Sequence, residues 1–363
     1  MRILVVAPDI LLPDSHGGST HVQELVGGLR RHGDVLLLAR EGSHAEGTAG
    51  VGRPLRRFPA ALRHADAVRS LPRALAAARA FGPEVIYERC TAYGLGAMIG
   101  LALRVPHLTM VLDQRYSWLS LVRARRLVAT RLDIVPAPVR NKAVKVSWGA
   151  NPDVFDAAID GAPARRELGL GASFVVGYSG SFKPWHGVEL LADAAEQLRD
   201  RDVRFLLVGD GDGRAALARD VAARGLADRF VFTGAVPYEQ VPRLLAAADC
   251  CVAPFRPELH GPSRTHGFSL DPLKVFETMA LGKPTITIRA GNISALFDDG
   301  EHLLLFEPGD VQQLAAAIAR LQDDRSFARA LADRGRARVL ERHTWAAHAD
   351  QLVGLFREML AER

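Results

Sequence analysis

Long apolar runs are missing from this chain of 363 residues. No stretch approaches the roughly 20 consecutive apolar residues that a membrane-spanning helix requires. We therefore expect no bilayer span, and a composition of 48% hydrophobic and 24% charged residues is that of an ordinary globular protein. The length is sufficient for two domains that each bury a core of their own.

Cysteine is scarce: the chain contains three, Cys90, Cys250 and Cys251. Three residues form no even disulfide framework and show no metal-ligand spacing, and the adjacent pair lies in an apolar, strand-like stretch. We expect reduced core thiols and no metal site. The opening residues 1–8 are too short for a secretory signal and predict a first buried strand, so a cytoplasmic location is expected.

The net charge is +5, but the basic residues are spread along the chain and do not form a single run of like charge. This distribution argues against a nucleic-acid partner. The densest basic stretch, 115–145, has Asp133 as its single acid against several cations, which include Arg123, Arg125, Arg126, Arg131, Arg140 and Lys142. A solvated helix face is the favoured interpretation, and an anionic acceptor or peripheral contact with an anionic membrane surface are the alternatives.

Short apolar segments alternate with helical patterns along the chain. The first half predicts strands at 3–7, 35–39, 85–87 and 108–112, with helices near 19–31, 59–81 and 92–103, and the second half repeats the pattern from 174. Alternation of this kind is typical of parallel sheets, so we predict an α/β fold with two Rossmann-like, doubly wound domains. The Gly, Asn and Pro of 147–155 place the boundary near residue 150. Because such sheets bind ligands beyond the carboxyl ends of their strands, two units facing each other would form one central cleft.

One predicted helix, 272–281, carries its charges where they do not stabilise it. Asp271 is the expected N-cap, and Gly282 ends the helix. Lys274 then lies in the first turn, where a cation opposes the helix dipole and an anion would be favoured. Lys274 and Glu277 share one face, opposite a buried stripe formed by Leu273, Phe276 and Ala280. An ammonium beside a carboxylate suits phosphate and sugar hydroxyls.

Two loops that follow predicted strands are further candidates. Gly17 and Gly18 precede a helix, where a phosphate or sugar can approach the backbone, although a tight turn explains the pair equally well. The loop 179–187 carries Lys183 and His186, which either clamp a diphosphate or serve as a surface lysine and a capping histidine. The run 208–213 lacks the spacing of a dinucleotide fingerprint and the downstream Glu of a calcium loop.

Several motifs in order resemble those of the GT-B glycosyltransferases, and among them the retaining nucleotide-sugar transferases of family 4. The resemblance covers essentially the whole chain. The similar segments are the Gly17-Gly18 loop, WGANPDVF at 148–155, the Gly180–Gly187 loop, LVGDG at 207–211, FETMALGKP at 276–284, and HTW at 343–345 before a last amphipathic helix. It implies an acceptor-binding domain at 1–149, a nucleotide-sugar-binding domain at 150–342, and a C-terminal helix, 343–363, that crosses back onto the first domain.

The resemblance also implies site residues and a reaction. A sugar would move from a nucleotide-sugar donor, with UDP the best guess for the nucleotide, to a small-molecule or glycan acceptor, with retention and without a cofactor. Glu277 would accept hydrogen bonds from the donor ribose, and Lys183 and Lys274 would stabilise the departing diphosphate of an oxocarbenium-like transition state. The implied donor-binding residues are Gly17, Gly18, Ser181, His186, Gly209, Ser269, Leu270 and Glu277. The implied acceptor-binding residues are His16 and Asp113.

Four positions depart from the family pattern. Ser269 stands eight residues before Glu277, where the family has a second glutamate, and Leu112 stands where many members have a histidine. Ser181 and His186 replace an Arg and a Lys of the phosphate loop. Two alternatives therefore stay open: a catalytically weak GT-B protein that binds a nucleotide or a partner, and a nucleotide-sugar epimerase.

Overall fold

The computed structural model of the protein describes residues 1–14, 17–52, 60–89, 93–112, 116–268 and 271–362, without the side chains of 60–64 and 265–266. The chain divides into two compact units. The first consists of Met1–Trp148 and Trp345–Arg363, and the second of Gly149–Thr344.

The first unit contains a seven-stranded parallel sheet in the order β3-β2-β1-β4-β5-β6-β7. Its strands are β1 (Arg2–Ala7), β2 (Asp34–Ala39), β3 (Thr48–Gly50), β4 (Val85–Arg89), β5 (His107–Met110), β6 (Arg126–Ala129) and β7 (Ala143–Lys145). Its helices are α1 (Gly17–Arg30), α2 (Ala60–Phe81), α3 (Leu95–Leu103), α4 (Trp118–Arg123) and α14 (Trp345–Ala361). Strand β4 is buried at every residue, as expected for a parallel sheet with helices on both faces.

The second unit has a six-stranded parallel sheet in the order β10-β9-β8-β11-β12-β13. Its strands are β8 (Phe174–Ser179), β9 (Val203–Val208), β10 (Phe230–Gly234), β11 (Cys250–Ala253), β12 (Thr285–Ile288) and β13 (Leu304–Phe306). Its helices are α5 (Ala162–Glu167), α6 (Leu190–Gln197), α7 (Arg214–Ala223), α8 (Val241–Ala246), α9 (Gly261–His266), α10 (Leu273–Ala280), α11 (Gly291–Ser294), α12 (Val311–Asp323) and α13 (Arg325–Arg342). The strand order reverses between β8 and β11, as it does between β1 and β4.

The predicted α/β class, with two doubly wound parallel sheets, is confirmed. Strands β3, β6, β7 and β13 and helices α4, α5 and α9 were not predicted, and β6 and β7 lie within the basic stretch. The prediction of Asp271 as N-cap is wrong by one residue. Pro272 takes that position in an extended conformation, with ψ of 107°, and α10 begins at Leu273.

The thiols of Cys250 and Cys251 are free and buried, as predicted, whereas Cys90 lies outside the described residues. Burial raises the pKa of Cys251 to about 12 and the pKa of Cys250 as well, so both thiols stay protonated at neutral pH. Among the described helices, none combines the length and apolar character needed to cross a bilayer.

The close approach of α1 and α14 gives a stability prediction. A Cβ atom at Gly28 would lie 2.8 Å from Ala349 Cβ and 3.2 Å from the Trp345 carbonyl oxygen, whereas a Cβ atom at the neighbouring Gly27 would meet no atom within 4 Å. We expect Gly28→Val to lower the free energy of unfolding by about 1–3 kcal/mol through overpacking. Gly27→Val is the matched control and should leave stability within about 0.5 kcal/mol of wild type. Denaturant titration measures both, and equal losses would contradict the packing argument.

Candidate functional site

The candidate site of the second unit lies where its strand order reverses. Strands β8 and β11 are neighbours in the sheet, and their carboxyl ends are Ser179 and Ala253. The connections that leave a doubly wound sheet at this point run in opposite directions and leave a crevice between them. The loop after β8, the segment after β11 and the first turn of α10 all contribute side chains here.

Tyr178, the last but one residue of β8, connects these segments. Its hydroxyl donates to the Ser181 carbonyl oxygen at 2.8 Å, lies 3.2 Å from His186 Nδ1, and accepts a hydrogen bond from Lys274 Nζ at 3.3 Å. The side chain is buried, and burial raises its pKa, so the phenol keeps its proton. One phenol thus fixes both the glycine loop and the lysine of α10.

Lys274 is held by two aromatic rings. Its Nζ lies 4.4 Å from the centroid of Tyr178 and 5.1 Å from the centroid of Phe255, distances at which a ring face attracts a cation. Burial lowers the pKa of Lys274 to about 7, and the attraction of Glu277 opposes this shift. The ammonium is therefore poised near half charge at neutral pH, and a nearby anion would complete its protonation.

Glycine is required where the loops meet Lys274. Gly180 has φ of 136°, and a Cβ atom there would lie 2.6 Å from Lys274 Nζ. Gly209 has φ of 133°, its N–H donates to the Gly234 carbonyl oxygen at 3.0 Å, and a Cβ atom there would lie 2.1 Å from the Gly180 carbonyl oxygen. Side chains are disfavoured at both positions by conformation as well as by space. Gly209 thus supports the position of the loop that contacts Lys274.

His186 is a neutral ring inside the unit. Its Nδ1 bonds to the Ser181 carbonyl oxygen, and its ring packs edge-on against Trp185 at 4.1 Å. Burial lowers the pKa of His186 to about 2, and the charge of Lys274 contributes to the shift. A neutral imidazole is not a fixed cation, so the positive charge of this loop comes from Lys183, whose side chain is exposed.

Glu277 lies one turn beyond Lys274 and is 7% exposed. Its Oε1 accepts a hydrogen bond of 2.8 Å from the Tyr238 hydroxyl, and the Tyr238 ring packs against Phe155 at 5.6 Å. The predicted buried stripe of α10 is correct for Phe276 and Ala280, but Leu273 is only half-buried. Glu277 is thus more enclosed than a carboxylate on a solvent face would be.

Gly17 and Gly18 lie in the first unit, at the start of α1. A Cβ atom at Gly18 would lie 3.2 Å from Arg89 Nη2. Arg89 is 7% exposed, and its Nε donates to His21 Nδ1 at 2.8 Å. Burial and the charge of Arg89 hold the pKa of His21 well below its usual value, and this ring stacks on Trp148 at 4.6 Å. Gly18 therefore adjoins a buried guanidinium, whereas a Cβ atom at Gly17 would meet no atom within 4 Å.

Four side chains of these sites were not predicted from the sequence: Arg89, Tyr178, Tyr238 and Phe255. Tyr178 had one usable signal, since it is a phenol two residues before a glycine that begins the loop. The predicted His16, Asp113, Ser269 and Leu270 lie outside the described residues.

The second unit has two further features, a pocket beside Lys183 and a group of three possible metal ligands. A pocket of about 370 Å³ is lined on one side by Lys183 and on the other by Glu189 and Asp220, which makes it a poor place for a diphosphate. Metal ions are held by His, Cys, Asp and Glu side chains. Within the described part of the chain, one group of three such side chains has its ligand atoms within 4.8 Å of one another: Asp298, Glu301 and His302. His302 Nδ1 accepts the Asp298 N–H at 3.1 Å, and Asp298 and Glu301 are exposed, as is common for carboxylates that hold no metal.

The depressed pKa of Lys274 gives a pH prediction. Between the folded value of about 7 and the usual 10.5, the unfolded chain binds more protons than the folded chain, so this residue makes stability rise with pH. We expect the free energy of unfolding of wild type to rise between about pH 7 and pH 9 by about 1–2 kcal/mol more than that of Lys274→Met. Lys145→Met, at an exposed lysine, is the control. Parallel pH profiles of wild type and Lys274→Met in thermal or denaturant unfolding would contradict this.

The chain was compared with known proteins. Residues 173–324 match the family model described as Glycosyl transferases group 1. The alpha-D-kanosaminyltransferase of Streptomyces kanamyceticus is 29% identical over 200 residues, which cover 54% of this chain and 49% of that protein. The 2-deoxystreptamine glucosyltransferase of the same organism is 34% identical over 154 residues, which cover 41% of this chain and 36% of that protein. The chain thus spans about half or less of the length of these relatives.

Solved structures match over the whole chain. Sucrose-phosphate synthase from Thermosynechococcus elongatus has a TM-score of 0.75 and 24% identity, and covers 100% of both chains. The Anabaena protein HepE in complex with UDP has a TM-score of 0.80 and 19% identity, and covers 99% of this chain and 100% of its own. At these identities the likeness shows the fold. The chain therefore has the GT-B fold, and residues 173–324 of its second unit are similar to the glycosyl transferases group 1 family.

Proposed function

We propose that this protein transfers a sugar from a nucleotide-sugar donor, with a UDP-sugar as the donor class, to a small-molecule or glycan acceptor, with retention of anomeric configuration. The observation that carries the proposal is the pairing of Lys274 with Glu277 at the carboxyl ends of β8 and β11, next to the Gly180–Gly187 loop. An ammonium and a carboxylate fixed at such a point match the diphosphate and the ribose of a nucleotide sugar.

The comparisons support the chemistry of this proposal. The matched family is one of glycosyl transferases, and solved structures of the similar HepE protein are complexes with UDP and with UDP-glucose. The names of two relatives specify α-linked products, an alpha-D-kanosaminyltransferase and an alpha-(1->4)-mannosyltransferase, and these names are the basis for proposing retention.

In the proposed reaction the lysines act on the leaving group. Negative charge develops on the departing diphosphate as the sugar becomes oxocarbenium-like, and preorganised cations stabilise that charge. Lys274 is fixed by Tyr178 and Phe255, whereas Lys183 is exposed and free to follow the diphosphate. Because His186 is neutral, we assign these two lysines the cationic role and His186 the task of shaping the loop.

Glu277 and Tyr238 form the ribose side of the proposed site. The hydrogen bond from the Tyr238 hydroxyl fixes the orientation of the Glu277 carboxylate, and carboxylate oxygens accept hydrogen bonds from ribose hydroxyls. The proposal retains Ser181 and Gly209 as donor-loop residues, Gly17, Gly18, Ser269 and Leu270 as donor contacts, and His16 and Asp113 as acceptor contacts.

A nucleotide panel tests the donor site without an acceptor. We expect UDP to raise the melting temperature more than GDP, dTDP or ADP, since a ligand that binds only the folded state stabilises it. Glu277→Ala should weaken UDP binding by about 1.5–3 kcal/mol, roughly 10- to 150-fold, because charge-assisted hydrogen bonds are lost. Glu239→Ala, at an exposed carboxylate one residue from Tyr238, is the control for isothermal titration. Unchanged affinity in Glu277→Ala would refute the ribose role.

Turnover tests the role of Lys183. We expect Lys183→Ala to lower the rate of UDP release from a UDP-sugar by a larger factor than it lowers UDP affinity, because leaving-group charge develops in the transition state. Lys145→Ala is the matched control at an exposed lysine. Equal losses in rate and affinity would make Lys183 a simple binding residue. UDP binding without any sugar transfer or hydrolysis would favour the alternative of a nucleotide-binding GT-B protein.

A further inference from the structure

Helices α3 and α4 of the first unit lie side by side and point the same way. At their amino ends, a Cβ atom on Gly94 would lie 2.8 Å from Ser117 Oγ and 3.8 Å from Ser120 Oγ. At their carboxyl ends, one pocket is lined by Leu101 from α3, by Arg104, which directly follows α3, and by Arg123 from α4. The exposed side chains of the two helices therefore belong to one continuous surface, which we call the α3–α4 face.

The α3–α4 face is apolar where it meets solvent. Four large apolar side chains on it are strongly exposed: Leu101 at 55%, Trp118 at 52%, Leu119 at 40% and Val122 at 56%. They are half of the eight most exposed large apolar residues in the described part of the chain. Clusters of this kind mark docking surfaces rather than ordinary solvent-facing residues.

Helix α4 buries hydroxyl side chains and exposes apolar ones, which is the reverse of an ordinary surface helix. Ser117 at its amino end and Ser120 are 1% and 0% exposed, and their hydroxyls have no hydrogen-bond partner among the described residues. Trp118, Leu119 and Val122 point outward instead. A surface helix in water normally turns its hydroxyls outward and its apolar residues to the core. This arrangement indicates that the outer face of α4 meets an apolar medium.

Arginine is the main charged residue type around the α3–α4 face. The segment 93–132 contains six arginines and one acid, Asp113, which lies outside the described residues. Two of the arginines, Arg126 and Arg131, pair with carboxylates. Arg104, Arg123 and Arg125 line the pocket of about 430 Å³ at the carboxyl ends of the two helices. Among the described residues, no carboxylate pairs with Arg104 or Arg123. Guanidinium groups bind phosphate through two parallel hydrogen bonds.

We propose that the α3–α4 face docks onto the surface of an anionic lipid bilayer. Trp118, Leu119, Val122 and Leu101 enter the boundary between headgroups and acyl chains, and the arginine pocket receives a lipid phosphate. A second copy of the chain fits less well, because a two-fold contact through this face would bring the arginines of both copies together without acids between them. This inference is independent of the proposed sugar transfer.

Vesicle sedimentation of the full chain tests the proposal. We expect at least about tenfold stronger binding to phosphatidylcholine vesicles that contain about a third phosphatidylglycerol than to phosphatidylcholine alone, since each cation near an anionic surface adds to binding. Arg104→Gln with Arg123→Gln should weaken binding to the anionic vesicles about thirtyfold. Trp118→Ser with Val122→Ser should weaken it at least about tenfold, because apolar insertion is lost.

Matched controls change the same residue types elsewhere. Val68→Ser with Val144→Ser removes two exposed apolar groups from the first unit, and Arg166→Gln with Arg329→Gln removes two exposed arginines from the second. Both pairs should bind within about twofold of wild type, and circular dichroism melts should show that all variants fold. Equal binding to neutral vesicles, no binding, or unchanged binding of the α3–α4 variants would overturn the proposal. A concentration-dependent dimer in sedimentation velocity that Trp118→Ser with Val122→Ser dissolves would instead assign the face to a second copy.

Discussion

An ammonium withdrawn from water needs neighbouring electrons to replace its lost hydration, and the candidate site is arranged around this requirement at the half-buried Lys274. The rings of Tyr178 and Phe255 and the carboxylate of Glu277 each supply part of the compensation. The rings can meet only because β8 and β11 are adjacent, so the strand order is a precondition of the site. The lysine also approaches the backbone closely at Gly180, where a Cβ atom would lie 2.6 Å from its Nζ and the φ of 136° favours glycine.

Much of this could be predicted from local patterns. The repeated alternation of apolar strands and helices determines the class of the fold, and the three-residue spacing of Lys274 and Glu277 places both on α10. The neutral state of His186 could not be predicted, because it arises from Trp185 and Phe255, the latter about 70 residues away along the chain. The role of Tyr178 was not predicted for a related reason. A tyrosine in a buried strand is indistinguishable from an ordinary core residue until the partners of its hydroxyl are known.

The basic stretch shows how composition misleads when burial is unknown. The arginines of 115–145 favoured a solvated helix face, yet the stretch contains two sheet strands, β6 and β7, and the short helix α4. Several of its cations are engaged within the unit: Arg125 donates to the Met359 carbonyl oxygen at 2.7 Å and Lys142 to the Val122 carbonyl oxygen at 2.9 Å. Arg123, which has no carboxylate partner among the described residues, lies on the helix that carries the exposed side chains of Trp118, Leu119 and Val122. Charge and apolarity together, rather than charge alone, distinguish this face.

In the proposed function, Lys274 sets stability against ligand affinity. Burial lowers its pKa to about 7, so the free protein bears part of the cost of an incompletely compensated charge. In the proposed function a diphosphate would supply the missing negative charge and raise that pKa. The same contact that weakens the empty fold would then strengthen the complex, since the cation is already held in place by Tyr178. A lysine free to move in solvent would not destabilise the fold, but it would have to lose its rotamer freedom on binding, whereas Lys274 has lost it in advance.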